Sequence, residues 1–518
     1  MKQSYWPQVF AILIGTFMAV LDTSIVNVAI PKMMNVFGVA PDEIQWVLTG
    51  YTLVMASVIP LTGFLGTRFG LKKVYLASFV MFTVGSLLCG VAWSNNTMIA
   101  ARVVQALGGG LIMPVGQALL WHVVPMEKMG AAMGVFGISV MVAPAIGPTL
   151  SGMIVEYLDW HLIFTINVPI GVIGILIAMT FLQETPISEK KIPFDYLGFF
   201  YSTLMLVTFL LAVTKGEDKG WTSFYIVGLF SASLISGLIF LYHEYTTEHP
   251  LMDLRLFRIP TYTYGVLVGC FVMIGMFGAV YLIPIYAENL LGYTAMQTGI
   301  LMFPQSLCSG VITLLSGSIL MKKYGGKPLI ILGLVLTVVN TIFLARIDEN
   351  TTAGHIQLLM ALRGLGLGFC MMPSMQLPLQ VIAKKDTGNA SALMNVTRQM
   401  AMSVGVAILT SIYMTQGTTH AVHLAETVNG TNPINTDFLA GQQQYYSALG
   451  FSSDTAYGLG INTVINLVKK YATLQAMDDT LLFSVIFIIL SIPLTLLMKE
   501  PKIGKTEKSE QAHTVAEM

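Results

Sequence analysis

At 518 residues, 55% hydrophobic and 10% charged, the chain has the composition of an integral membrane protein; a soluble domain carries about 25% charged residues. Its mean hydropathy is +0.72. Lys plus Arg and Asp plus Glu number 27 each, so no net charge points to nucleic acid as a partner. The four cysteines (Cys89, Cys270, Cys308 and Cys370) fall in apolar runs without metal-ligand spacing. They read as packing residues, with no disulfide framework and no metal.

Apolar runs of about 20 residues predict spanning helices. The first, 8–30, is no signal peptide: it is long, lacks a small-residue cleavage site and holds Asp22. A carboxylate at that depth costs roughly 2.5–3.5 kcal/mol on insertion scales and survives only facing protein or water. Asp22 is therefore the leading candidate for carrying a proton. The second helix, 43–66, runs into the tight basic turn Gly63 to Lys73, which includes Arg68, Gly70 and Lys72. Holding that loop inside is the simple reading, and a gating latch is the other.

The third and fourth helices are 74–94 and 97–122, and the fourth bears Arg102 and Gln105. At 1.5 Å per residue, Asp22 lies about 13 Å from Pro31, and Arg102 about 9 Å from Asn96. An arginine side chain spans the difference. The two are expected to pair, with Gln105, one turn on, orienting the guanidinium. Desolvation and the cation then compete over the carboxylate; a static buried ion pair is the alternative. The fifth helix, 130–154, holds Gly137, Pro144, Gly147, Pro148 and Gly152. Its prolines remove backbone donors, and its small residues admit a close neighbour or serve plain packing. The sixth is 160–183.

Helices 194–214 and 222–242 match neither flanking group and read as a peripheral insertion. A second group follows at 260–287, 293–320, 329–345, 354–381, 389–415 and 479–498, making fourteen. Residues 416–478 are expected to form an outer-face excursion: a polar loop, then two short helices at 437–449 and 460–476. The domain expectation is a six-helix bundle at 1–183, an inserted pair at 184–258, a second six-helix bundle at 259–498 and a tail at 499–518. Positive charge orients the chain. Lys73, Lys128, Lys190, Lys191, Arg255, Lys322, Lys384 and Lys385 fall in the loops on the side of the N-terminus. Both termini are thus expected in the cytoplasm.

The chain repeats itself. Ile30-Pro31 and the later basic turn are echoed by Ile283-Pro284 and Lys322 to Lys327; Arg102, Gly108 and Pro114 by Arg363, Gly364 and Pro373. Two similar halves in one membrane chain mark a transporter with its substrate site between them. Counted back from each Ile-Pro pair, Asp22 aligns with Gly275. The first half is thus expected to bind the proton and the second to shape the cavity. Asn27, Trp46, Tyr51, Gln105, Gln305, Gln376, Asn395 and Arg398 form the candidate cavity lining. Taken singly, each reads as an interhelical hydrogen bond or an interface anchor.

These stretches resemble the major facilitator superfamily, and in particular its fourteen-helix drug:proton antiporters of the EmrB/QacA type. Leu21 to Pro31 is similar to the first-helix motif of that family. Gly63 to Lys73 resembles the inner-loop motif, Arg102 to Gly110 the fourth-helix arginine motif, and Gly137 to Gly152 the antiporter motif. Asp159 to Gly171 and Asn395 to Gln399 also look like family stretches. The resemblance implies an all-α membrane fold and a monomer in the lipid bilayer, exporting small molecules in exchange for protons without a cofactor. It implies Asp22 as proton carrier, Arg102 as its modulator and Gly147-Pro148 as an interface seal. A membrane-fusion partner is left open. Thr67 stands where the inner-loop motif usually has an acid, and helices 293–320 and 389–415 contain no acid. That favours neutral, zwitterionic or monovalent cargo. An exporter of a native metabolite or lipid is the rival reading. An intramembrane enzyme is disfavoured by the absence of His-Glu-x-x-His and of a serine elbow.

Overall fold

A computed structural model describes residues 5–185, 193–383, 386–428 and 433–499. The tail beyond 499 and Lys190, Lys191, Lys384 and Lys385, all named above, lie outside the described residues. Among the described residues the regular structure is entirely helical. In chain order the helices are α1 (Trp6–Phe37), α2 (Pro41–Ile44), α3 (Trp46–Val58), α4 (Leu61–Phe69), α5 (Leu71–Gly90), α6 (Asn95–Val123) and α7 (Met126–Tyr157). Next come α8 (Leu162–Thr165), α9 (Asn167–Phe181), α10 (Tyr196–Lys219), α11 (Phe224–Thr246), α12 (Pro260–Ile285), α13 (Ala295–Leu315) and α14 (Met321–Tyr324). The last are α15 (Gly326–Leu344), α16 (Ala353–Gln380), α17 (Thr387–Thr427), α18 (Pro433–Ala448) and α19 (Ser453–Leu497). Among the described residues thirteen helices are long and apolar enough to span a bilayer, or fourteen with the bent pair of α2–α3 and α4 counted as one span.

The predicted span 43–66 is not one straight helix. It bends by 55° between α3 and α4, where Pro60 cannot donate an N–H and its ring crowds the carbonyl one turn back. The excursion also departs from expectation. Residues 416–427, expected as loop, continue α17 without a break, since no proline stops the helix before Pro433. The helix expected at 460–476 is the leading part of the 45-residue α19. The expected packing against it is present: the Tyr446 and Thr463 hydroxyls sit 3.1 Å apart.

Tracing the helices end to end puts residues 5 and 499 at one end of the molecule and the α18 hairpin at the other. At the terminal end a single hydrophobic core joins both groups of helices. It runs from Val9 and Leu119 on one side to Tyr262, Met375 and Leu393 on the other. At the far end the core divides. Ile25, Met33, Met98 and Phe164 cluster within the first group; Ile283, Tyr286, Leu359 and Leu481 cluster within the second. The two halves are therefore shut at the terminal end and splayed at the other. One seam persists along the side, where α7 packs on α13.

The inserted pair is peripheral only in part. The face of α11 bearing Leu234, Leu238 and Leu241 is exposed. In contrast, α10 packs on α3 from the first half and α17 from the second, with Leu210 buried beside Leu53 and Ala56. At the splayed end Lys215 Nζ donates to Gln45 Oε1 at 3.0 Å. The repeat pattern gave no register for α10, so only packing reveals that it bridges the gap.

Candidate functional site

The first half assembles a closed polar cage around Asp22, which is 0% exposed. Arg102 Nη1 donates to Asp22 Oδ2 at 2.6 Å and to Gln105 Oε1 at 2.5 Å. Gln105 Nε2 donates to Asp22 Oδ1 and to Ser86 Oγ, both at 2.8 Å. Asn167 Nδ2 adds a third donor to the carboxylate at 3.3 Å. The guanidinium lies 4.0 Å from the centroid of the Tyr51 ring, close enough for a cation–π contact. Five helices meet here, and α5 and α6 approach especially closely: a Cβ on Gly85 would stand 2.4 Å from the Gln105 Cα. A buried ion pair of this kind is costly to break from one side, since removing one partner leaves a bare charge. The arrangement can thus hold one carboxylate charge, or trade it for a proton, and little in between.

Asp22 faces the inside of its own half. From Asp22 toward the splayed end, the exposed positions of α1 include its neighbour Thr23 and, one and two turns on, Asn27 and Pro31. The carboxylate is therefore shut off from the splayed end by its own helix in this state.

The antiporter-like helix α7 has two working faces. Toward α1, Ser24 Oγ donates to the Pro144 carbonyl at 3.0 Å. That carbonyl has no helical donor because the residue four on is Pro148. A Cβ on Gly147 would stand 2.5 Å from Ser24 Oγ, so glycine is required for the contact. Toward the second half, Gly137 lies against Thr313, and Gly152 approaches Met296.

Near the terminal end, Gln117 on α6 reaches across to α17. Its Oε1 accepts from Ser391 Oγ at 3.0 Å and from Asn395 Nδ2 at 2.9 Å. In the basic turn, Gly63 lies under Asn389 of α17, Gly70 takes φ +87° beside Glu184, and Lys72 Nζ caps the Met179 carbonyl at 3.0 Å. Arg68 is stacked 5.7 Å from both Phe64 and Phe69. The turn is thus packed against the second half as well as being basic.

The structure brings together Asp22, Arg102, Gln105 and Tyr51 and disperses the other proposed lining residues. Asn27 and Trp46 are exposed; Gln305 and Gln376 are buried within the second half; Asn395 belongs to the seal with Gln117. Gln117 was legible as an amide inside a span, though it was not singled out. Ser86 and Ser24 carried no signal, since serines bonded to a helix's own backbone are common in spans.

A family model described as Major Facilitator Superfamily matches residues 12–406. Among curated relatives, the uncharacterized MFS-type transporter YhcA of Bacillus subtilis (strain 168) is 31% identical over 504 residues, covering 96% of this chain and 94% of YhcA. The multidrug transporter protein MdtP of the same organism is 32% identical over 403 residues, covering 77% and 74%. Among solved structures, the human organic anion transporter MFSD10 (TETRAN) superposes with a TM-score of 0.58 at 12% identity, covering 95% of this chain and 100% of that one. At that identity the likeness concerns the fold alone.

Proposed function

The chain belongs to the Major Facilitator Superfamily, and from that premise we propose that it is a proton-coupled drug exporter of the fourteen-helix antiporter type. It would sit in the cytoplasmic membrane with both termini inside and move hydrophobic or amphipathic small molecules outward. The observation that carries this reading is the caged Asp22, a lone acid deep in a span with a cation and two amide donors on its oxygens. MdtP, named a multidrug transporter, supports the cargo class.

The geometry suggests how the exchange runs. With the terminal end shut and the far end splayed, cargo has a route out. A proton arriving from that side reaches Asp22 once α1 shifts and opens the cage; it neutralises the carboxylate and removes the Arg102 counter-charge. The cage then holds a cation with no anion, a state costly enough to favour rearrangement. Opening at the terminal end breaks the Gln117 bridge, lets cargo enter and lets the proton leave. Antiport requires that cargo and proton weaken each other's binding reciprocally.

The test has two stages. Cells expressing the chain are screened for resistance to antiseptics, dyes and antibiotics. Uptake of a positive compound into inverted vesicles is then followed with and without a proton gradient. Gradient-dependent uptake that is lost in Asp22→Asn is expected; uptake unaffected by collapsing the gradient would overturn the reading.

A further inference from the structure

The second half buries two arginines without an acid. Arg363 and Arg398 are 0% and 6% exposed, and among the described residues the ion pairs include neither of them. Arg363 has two neutral acceptors, although its Nε, like that of Arg398, is buried without one. Its Nη1 donates to Thr341 Oγ1 at 3.0 Å and its Nη2 to the Met276 carbonyl at 2.9 Å. Arg398 has one acceptor fewer. Of its five N–H groups, one reaches a protein acceptor, the Ser374 carbonyl at 3.2 Å from Nη2. Its Nε is buried with no acceptor.

The surroundings of Arg398 are shaped for a flat cation. A Cβ on Gly269 would stand 2.6 Å from both Nε and Nη2, so glycine lets the guanidinium lie on the α12 backbone. Arg398 is three residues from Asn395, on the same face of α17 and about 4.5 Å further from the terminal end. Asn395 is in the seal, so Arg398 stands immediately inside it, on the side toward the splayed end. A buried guanidinium with unmet donors is one of the most expensive arrangements a protein interior can hold. A bound anion removes the cost.

We propose that Arg398 is the anion-receiving group of the second half and takes a single negative charge, a carboxylate or a halide, between α12, α16 and α17, one turn beyond the Gln117–Asn395 seal. The charge comes either from the bulk salt or from an acidic group on the cargo. The second source rests on the efflux reading; the site itself does not.

The test uses the purified full-length chain in detergent with no gradient, so its outcome is independent of proton coupling. Thermal unfolding is followed while chloride replaces the bulky, carboxylate-free sulfonate MES at constant ionic strength, and separately while benzoate or neutral benzamide is added. Wild type is expected to be stabilised by chloride or benzoate and not by benzamide. Stabilisation by chloride assigns the site to an inorganic anion, and by benzoate alone to an organic acid. Arg398→Gln should weaken the response about tenfold or more, the worth of a charge-assisted hydrogen bond. Arg398→Lys should keep part of it, and Arg363→Gln and the exposed-site control Lys322→Gln should keep all of it. No anion effect on wild type, or an equal effect on Arg398→Gln, overturns the proposal.

Discussion

Arg102 and Arg363 occupy matching places in the two halves, and the chain has solved the burial of each differently. Arg102 meets a carboxylate at 2.6 Å. Arg363 meets a hydroxyl and the Met276 carbonyl, one residue from Gly275, the position that aligns with Asp22. Where the first half has a side-chain acid, the second uses backbone. A carbonyl cannot take up a proton at any working pH, whereas a carboxylate can. The pseudo-symmetric frame thus pairs a half that buries an acid with a half of fixed polarity, the asymmetry on which the proposed exchange rests.

The comparison can be broken from either side. Arg102→Ala leaves Asp22 buried without its counter-charge, and should destabilise by about 3–5 kcal/mol. Arg363→Met removes a charge held by neutral partners and should cost less than about 1.5 kcal/mol. Chemical denaturation in mixed micelles measures both, and equal costs would dissolve the distinction. Gly275→Asp asks whether the acid can be copied across. The new Cβ would stand 2.4 Å from Ile488 and 3.0 Å from the Ser484 carbonyl. The expected result is overpacking of about 1–3 kcal/mol and no second proton site, read by unfolding and by proton counting.

A smaller effect is expected at the seal. Gln117→Leu removes two hydrogen bonds between the halves, worth about 1 kcal/mol each. It should shift the population toward opening at the terminal end without harming the Asp22 cage. Spin-label distances across that end would report the shift, and unchanged distances would show that the seal rests on apolar packing alone. The smallest effect lies on the rim. Lys470, then Tyr471, bond to Glu349 and hold its carboxyl below the usual glutamate range. Because the folded-state value is depressed, the contact helps at neutral pH and is lost as pH falls through that value. Protease sensitivity of the α18 hairpin should rise in acid for wild type and be raised but flat with pH for Glu349→Gln.

Much of this was written in the sequence because charges inside spans are rare and their depth follows from helix rise. Asp22, Arg102 and Gln105 could be placed in one cage by counting residues. Helix ends were less legible. Apolarity marks where a helix crosses the bilayer but not where it stops, so the extensions of α17 and α19 beyond the bilayer-length runs were missed. The break at Pro60 needed attention to one proline within an otherwise continuous run. The bridging place of α10 depends on what lies beside it, which hydropathy does not encode. The spread of the proposed cavity residues has the same origin: polarity within a span says that a side chain needs a partner, not which way it faces.

The central claim is that the exchanged proton resides on the first half alone. A dye chosen by resistance screening is added to the purified full chain in weakly buffered detergent, and proton release is followed with a pH indicator. Wild type and Arg363→Gln should both release protons on dye addition, and Asp22→Asn should release none while still binding dye. Release from Asp22→Asn equal to that of wild type, or its loss in a folded Arg363→Gln, would contradict the account.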